Sequence, residues 1–246
     1  KEDLVKLVGV EGQECLLYRC FPVNAVFLRA SWADEYGNCT AHREIGPTDL
    51  TAMAQACRNS GGKVIVQVEK IVAGGTLDPK LVVIPGIYVD AIVVGSEAEH
   101  QQCMDAAYDG SLTGEFRAPA DALAPLPLYA RKVIARRAAM ELRPGAVVNL
   151  GVGIPERVAR VAAEEGISQE MTLTVEAGSV GGVPRGGTQF GGAANPAAIL
   201  PQNVQFDFYH GGGLDIACLG MAEIAPGGDV NVSRFHGRLA GSGGFI

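Results

Sequence analysis

One acid stands in a setting that favours chemistry. Glu176 closes a short apolar run, Leu173-Thr174-Val175, and glycines follow at positions 178, 181 and 182. The run predicts a buried strand over residues 173–176. The glycines predict a turn whose backbone can approach a ligand closely. A carboxylate at such a strand end is paired, strained or reactive. Arg185 supplies the partner for a plain structural ion pair, and the reactive reading stands beside it.

A second segment points to the same edge of a sheet. Residues 146–150 (A-V-V-N-L) predict a buried strand running into Gly151-Val152-Gly153-Ile154-Pro155, then a helix over residues 156–165. Pro155 suits a first helical turn. Strand, glycine turn and helix N-terminus together hold an anion or a carbonyl oxygen on backbone N–H groups. The dinucleotide fingerprint is not met, because Glu156 occupies its third glycine position, and no Gly-Lys-Ser/Thr follows to make a P-loop. Glu176 lies 25 residues beyond Gly151, which is one helix plus one strand. In a parallel α/β sheet both sites therefore emerge at the carboxyl edge, where such sheets bind ligands. Further glycine clusters lie at 186–187, 191–192, 211–213 and 241–244, and residues 215–219 predict a strand entering Gly220. About half of these glycines are expected to serve tight turns and the rest to approach an extended ligand.

The first half is richer in strands. Residues 16–18, 25–30, 64–68, 81–84 and 89–94 read as strands, the third as a buried parallel strand, and 48–57 as a helix with Thr48 or Asp49 near its N-cap. Asp34 and Glu35 form either a paired-carboxylate site or, as the sequence favours, a solvated turn closed by Gly37-Asn38. Residues 105–128, broken by Pro119, Pro125 and Pro127, read as a linker between domains. The amphipathic helix expected over 128–141 carries Arg131, Lys132, Arg136 and Arg137, read as a solvated face in preference to a phosphate contact.

Composition narrows the function classes. The chain has 246 residues, 48% hydrophobic and 19% charged, with a net charge of −7, which disfavours nucleic acid or an anionic membrane as the main partner. No apolar run of 18 residues predicts a transmembrane helix, and no signal peptide is apparent. The six cysteines form no C-x-x-C pair and the four histidines lack metal-ligand spacing, so reduced thiols and no metal site are expected. The chain begins at Lys1 and stops at Gly243-Gly244-Phe245-Ile246, which reads as part of a longer polypeptide.

As a set, V-N-L-G-V-G-I-P, T-V-E-A-G, H-G-G-G-L-D-I-A-C-L-G-M-A-E and A-G-S-G-G-F-I resemble the class I CoA-transferase family, nearest to its fused, single-chain acetate or propionate CoA-transferases. In the first half, R-A-S-W-A-D-E-Y-G-N and I-P-G-I-Y-V-D-A-I-V-V agree, as does the entry to the second domain, P-L-Y-A-R-K-V-I-A-R-R-A-A-M-E-L-R-P-G-A. The resemblance implies two open α/β domains with the active site between them, the end part of the first over residues 1–120 with its linker and the beginning of the second over 121–246. It implies Glu176 as nucleophile and the loop Gly151, Val152, Gly153, Ile154 and Pro155 on the CoA and acyl side. Gly220, Gly243 and Gly244 would help to hold CoA or an oxyanion. Apolar loops around Val180, Val183, Phe190 and Phe245 would exclude water. CoA is then a substrate and no permanent cofactor is expected. Partners are an acyl-CoA, a short carboxylic acid and further copies of the chain as a dimer or tetramer, in the cytoplasm. A hydrolase or sugar-phosphate isomerase-like enzyme of the same fold, and a non-catalytic acyl-CoA sensor, are the alternatives.

Overall fold

A computed structural model describes residues 3–104, 106–119 and 125–241. The first half opens on an antiparallel hairpin, β1 (Val5–Val10) with β2 (Gln13–Tyr18). There follow β3 (Ala25–Arg29), β4 (Trp32–Asp34), β5 (Cys39–Thr40), α1 (Leu50–Asn59), β6 (Lys63–Val68), β7 (Lys70–Val72), β8 (Val82–Ile84) and β9 (Ala91–Val94). A parallel sheet, β3-β6-β9, packs against α1, and a second sheet runs β7-β4-β5-β8. In β6, Val64, Val66 and Val68 are fully buried, each contributing roughly 1.5–3 kcal/mol, while Ile65 and Gln67 on the other face are only half-buried. The strand is parallel, as its β-branched run predicts, but among the described residues it is deeply buried on one face only. Helix α1 starts later than predicted: Thr48 has φ 43°, and Asp49 occupies the N-cap without a side-chain capping bond.

The turn after β4 differs from both sequence readings. Asp34 is buried, and its carboxylate accepts hydrogen bonds from the N–H groups of Tyr36, Asn38 and Gly75 and from the Asn38 side chain. It is neither solvated nor half of an acid pair, because Glu35 turns away to accept from the Gly74 N–H. Burial pushes the Asp34 pKa up, but the bonds from Asn38, Gly75 and Tyr36 outweigh it and hold the carboxyl below its usual value.

The stretch that reads as a linker is fastened to the second half. Leu112 and Cys103 pack with Ala194 and Ile45. The Asn195 amide and the Ala118 backbone exchange two hydrogen bonds of 2.8 and 2.9 Å.

The second half contains α2 (Ala130–Ala139), β10 (Val147–Leu150), α3 (Arg157–Glu164), β11 (Thr172–Thr174), β12 (Ser179–Val180), β13 (Val183–Pro184), β14 (Ala193–Ala194), β15 (Ala198–Ile199), α4 (Gln202–Phe208) and β16 (Ile216–Cys218). Its five-stranded sheet runs β15-β12-β11-β10-β16, with β11 and β16 parallel to β10 and the other pairings antiparallel. Val148, Leu150 and Leu173 pack with Ala135, Val158 and Val161 of α2 and α3 on one face. Side chains of opposite parity, Asn149 and Thr174, meet Tyr209 beyond α4 on the other. The α2 cations serve structure: Lys132 bonds the Leu126 carbonyl and Glu164, Arg136 pairs with Glu165, and Arg137 with Glu141. Among the described residues, no helix is long and apolar enough to cross a membrane, and no group of three or more His, Cys, Asp or Glu is placed to hold a metal ion.

Candidate active site

Strand register brings the predicted segments together. Asn149 of β10 pairs with Thr174 of β11, so Gly151 and Glu176, each two residues further on, leave the sheet side by side. On the other flank Leu150 pairs with Cys218 of β16, and Gly220 follows two residues later. A Cβ on Gly220 would meet the Val152 carbonyl at 3.7 Å and Pro155 at 3.9 Å, so Gly220 and the Gly151–Pro155 loop adjoin. Gly243, Gly244 and Phe245 lie outside the described residues.

Glu176 lies two residues past the end of the strand expected to carry it. β11 ends at Thr174, and Glu176 belongs to the turn that reverses the chain into β12. The Val175 N–H donates to Ser179 O at 2.8 Å and the Gly178 N–H to Val175 O at 2.9 Å. Gly178 alone fits this turn: its φ is 122°, and a Cβ would lie 1.8 Å from the Leu200 carbonyl oxygen. The half-buried Glu176 carboxylate receives the Asn149 Nδ2–H at 3.2 Å. Among the described residues no cation pairs with it. Arg185 reaches instead to Asp109, at 3.8 Å, so the simple ion pair does not form.

The glycine loop is partly committed. The Gly151 N–H donates to Cys218 O at 2.9 Å, extending the β10–β16 ladder, and the Gly153 N–H donates to the Glu156 carboxylate at 3.1 Å. That carboxylate rests on the backbone of Gly186, where a Cβ would stand 2.6 Å from Oε1. Among the described residues, the N–H groups of Val152, Ile154 and Gly220 are engaged by no protein acceptor. Gly211–Gly213 are further from this role. They close the turn after α4, and a Cβ on Gly213 would strike the Phe208 ring.

The first half reaches the same edge. Ile45 packs on Gly191 and Gly192, and a Cβ on Gly46 would stand 3.0 Å from the Ala177 carbonyl oxygen. Beside this contact a cleft of about 500 Å³ opens between Gln101–Met104 and Gly187–Phe190. Phe190, Val180 and Val183 are half-buried. A separate, smaller space of about 210 Å³ is lined by the ion pairs Arg29–Glu44 and Arg43–Glu69 and by His100.

Asn149, Tyr209 and the 45–46 segment escape a reading by motif. Asn149 did carry a signal, since an amide inside the apolar run A-V-V-N-L must find a buried partner.

Comparison with known proteins bears on the family and the fold. A sequence profile described as Coenzyme A transferase matches residues 1–95. Caffeate CoA-transferase of Acetobacterium woodii is 45% identical over all of this chain and 48% of its own length. This chain belongs to the coenzyme A transferase family. Acetate CoA-transferase YdiF of Escherichia coli K12 is 44% identical, over all of this chain and 46% of that protein. The transferase-family chain thus spans about half the length of the curated relatives it matches. Its α/β fold matches the crystal structure of the acyl-CoA transferase YdiF apoenzyme from E. coli O157:H7 with a TM-score of 0.88, at 42% identity over all of this chain and 45% of that one. A thioester complex of YdiF with CoA matches equally, at TM-score 0.88 and 41% identity.

Proposed function

We propose that the protein moves CoA from a short-chain acyl-CoA, such as acetyl- or propionyl-CoA, to a free carboxylic acid, with Glu176 as the nucleophile. The observation that carries this reading is a half-buried carboxylate at the carboxyl edge of a parallel pair, free of any described cation and held by one amide N–H. A Glu176 oxygen attacks the thioester carbonyl, the C–S bond breaks, and CoA thiolate leaves an acyl-glutamyl anhydride. The thiolate then attacks the glutamyl carbonyl, the C–O bond breaks, and the donor acid departs from a glutamyl-CoA thioester. An incoming acid reverses both steps. Splitting one hard exchange into two displacements is the gain of covalent catalysis. A carboxylate suits the task because it matches the acid being exchanged, so little free energy is lost in either direction.

Val152, Ile154 and Gly220 N–H groups would face the tetrahedral oxyanions, and losing one such donor typically costs about 3 kcal/mol of barrier. The half-buried Val180, Val183 and Phe190 would limit hydrolysis of the anhydride. The thioester complex with CoA of the YdiF structure supports the second intermediate. The reading carries with it a two-domain division near residue 120, assembly into a homo-oligomer and a cytoplasmic setting.

The test incubates the full-length protein with propionyl-CoA without acceptor acid and takes its intact mass. A CoA-sized adduct on the peptide holding Glu176, absent in Glu176→Ala, is expected. Steady release of propionate with no adduct would replace transfer by hydrolysis. Acetate, propionate and caffeate as acceptors would then rank the acids.

A further inference from the structure

We propose that Tyr209 is a positioning residue for Glu176, acting through the orientation of the Asn149 amide. This inference rests on Glu176 being the nucleophile.

A backbone carbonyl, a group that can only accept, anchors a series of hydrogen bonds. The Val148 carbonyl receives the Thr174 hydroxyl proton at 2.9 Å. Thr174 Oγ1, having given its proton away, accepts from the Tyr209 hydroxyl at 2.7 Å. The Tyr209 oxygen, having donated, accepts from Asn149 Nδ2 at 3.4 Å. Every proton in the chain therefore runs one way, and its direction is set by a backbone carbonyl of β10. The same amide nitrogen faces Glu176 Oε2 at 3.2 Å and the Thr174 carbonyl at 3.5 Å, both of them acceptors.

The orientation is not free of cost. Asn149 is 1% exposed and its Oδ1 has no partner among the described residues. Turning the amide over would aim that oxygen at the Glu176 carboxylate and at the Tyr209 lone pairs. With the Tyr209 hydroxyl in place, the turned state gains nothing and loses the nitrogen's contacts. Without it, the Glu176 carboxylate and the Thr174 carbonyl alone hold the nitrogen, and the donor that faces Glu176 is less tightly fixed. Tyr209 is itself well placed to select. It is buried and opens the turn Tyr209–Gly213, where Gly212, at φ 93°, bends the chain out of helical geometry. Its oxygen adds no charge near the nucleophile.

The test compares full-length wild type with Tyr209→Phe, Thr174→Val and Thr174→Ser. Single-turnover formation of the CoA adduct on Glu176 is measured, with kcat and KM for propionyl-CoA. Tyr209→Phe is expected to slow adduct formation and lower kcat by about tenfold or more, with KM changed less than about twofold. Thr174→Val should do the same, and Thr174→Ser, which keeps the hydroxyl, should restore the rate. A Tyr209→Phe protein that forms the adduct at the wild-type rate overturns the inference, as does a rise in KM with kcat unchanged. If Tyr209→Phe fails to fold, the Thr174 pair decides, and equal loss in Val and Ser overturns it. Failure of the Glu176 reading looks different: wild type itself would form no adduct at that residue, or Glu176→Ala would keep exchange activity.

Discussion

Asn149 Nδ2 stands 3.2 Å from Glu176 Oε2, although 27 positions of chain separate the two residues. The contact is a product of register. Parallel pairing of β10 with β11 places Asn149 beside Thr174, and the turn then returns Glu176 over the same face. That single N–H fixes where the carboxylate oxygen lies.

Replacing that donor should separate two effects. Asn149→Ala removes the hydrogen bond, worth roughly 1.5–3 kcal/mol to a charged acceptor, so kcat should fall about tenfold to a hundredfold. Asn149→Asp adds a second carboxylate at the same spot and should fall further. Steady-state exchange of propionyl-CoA with acetate measures both.

Gly178→Ala should lose stability and activity together. The new methyl would collide with the Leu200 carbonyl at a φ that L-residues avoid. A destabilisation of at least about 2 kcal/mol is expected, read as a lower urea midpoint.

Asp34 should make stability pH-dependent on the acid side. Its carboxyl is held below the usual value, so the stabilisation it gives is complete above the unfolded-state value near 4 and is lost as pH falls through the lower, folded value. The difference in urea midpoint between wild type and Asp34→Asn is therefore expected to be largest near neutral pH and to shrink on acidification.

The α2 cations should divide by burial. Lys132 is mostly covered and bonds both Glu164 and the Leu126 carbonyl, so Lys132→Ala should cost about 2 kcal/mol. Arg137 and Glu141 are exposed, and Arg137→Ala should cost about 0.5 kcal/mol or less and leave KM for acyl-CoA unchanged. Thermal unfolding with parallel kinetics checks both.

Thiol labelling should follow burial. Cys20 is exposed, whereas Cys39 is buried, and that burial, with the Asp34 charge behind it, pushes its thiol up to about 12. At pH 8 an alkylating reagent should modify Cys20 in the native protein and Cys39 only after unfolding, as peptide mass mapping would record.

Much of this was legible in the chain, and the omissions have physical causes. Val64–Val68 and Val147–Leu150 announce parallel strands because their apolar runs match a sheet packed on helices. The spacing from Gly151 to Glu176 announces a shared sheet edge because one helix and one strand fill it. Asp34 misleads, since D-E-x-G-N has the composition of a solvated turn while one of its hydrogen-bond donors, Gly75, lies 41 residues away. Arg185 misleads in the same way, because its proximity in sequence to Glu176 says nothing of Asp109. Tyr209 is silent in sequence for that reason too. Its partner Thr174 is 35 residues distant, and a tyrosine in F-D-F-Y-H reads as ordinary core.

The seam between the halves has a consequence for building hybrids. Gly46 lies under the Ala177 carbonyl, and Ile45 fills the space left by Gly191 and Gly192, so each half supplies the mould for the other beside Glu176. A chimera joining the first half of one relative to the second half of another must carry positions 45, 46, 191 and 192 across as a block. Exchanged singly, a larger residue at 46 would press on the Ala177 carbonyl next to Glu176, and a fault written in one half would be read as lost activity in the other.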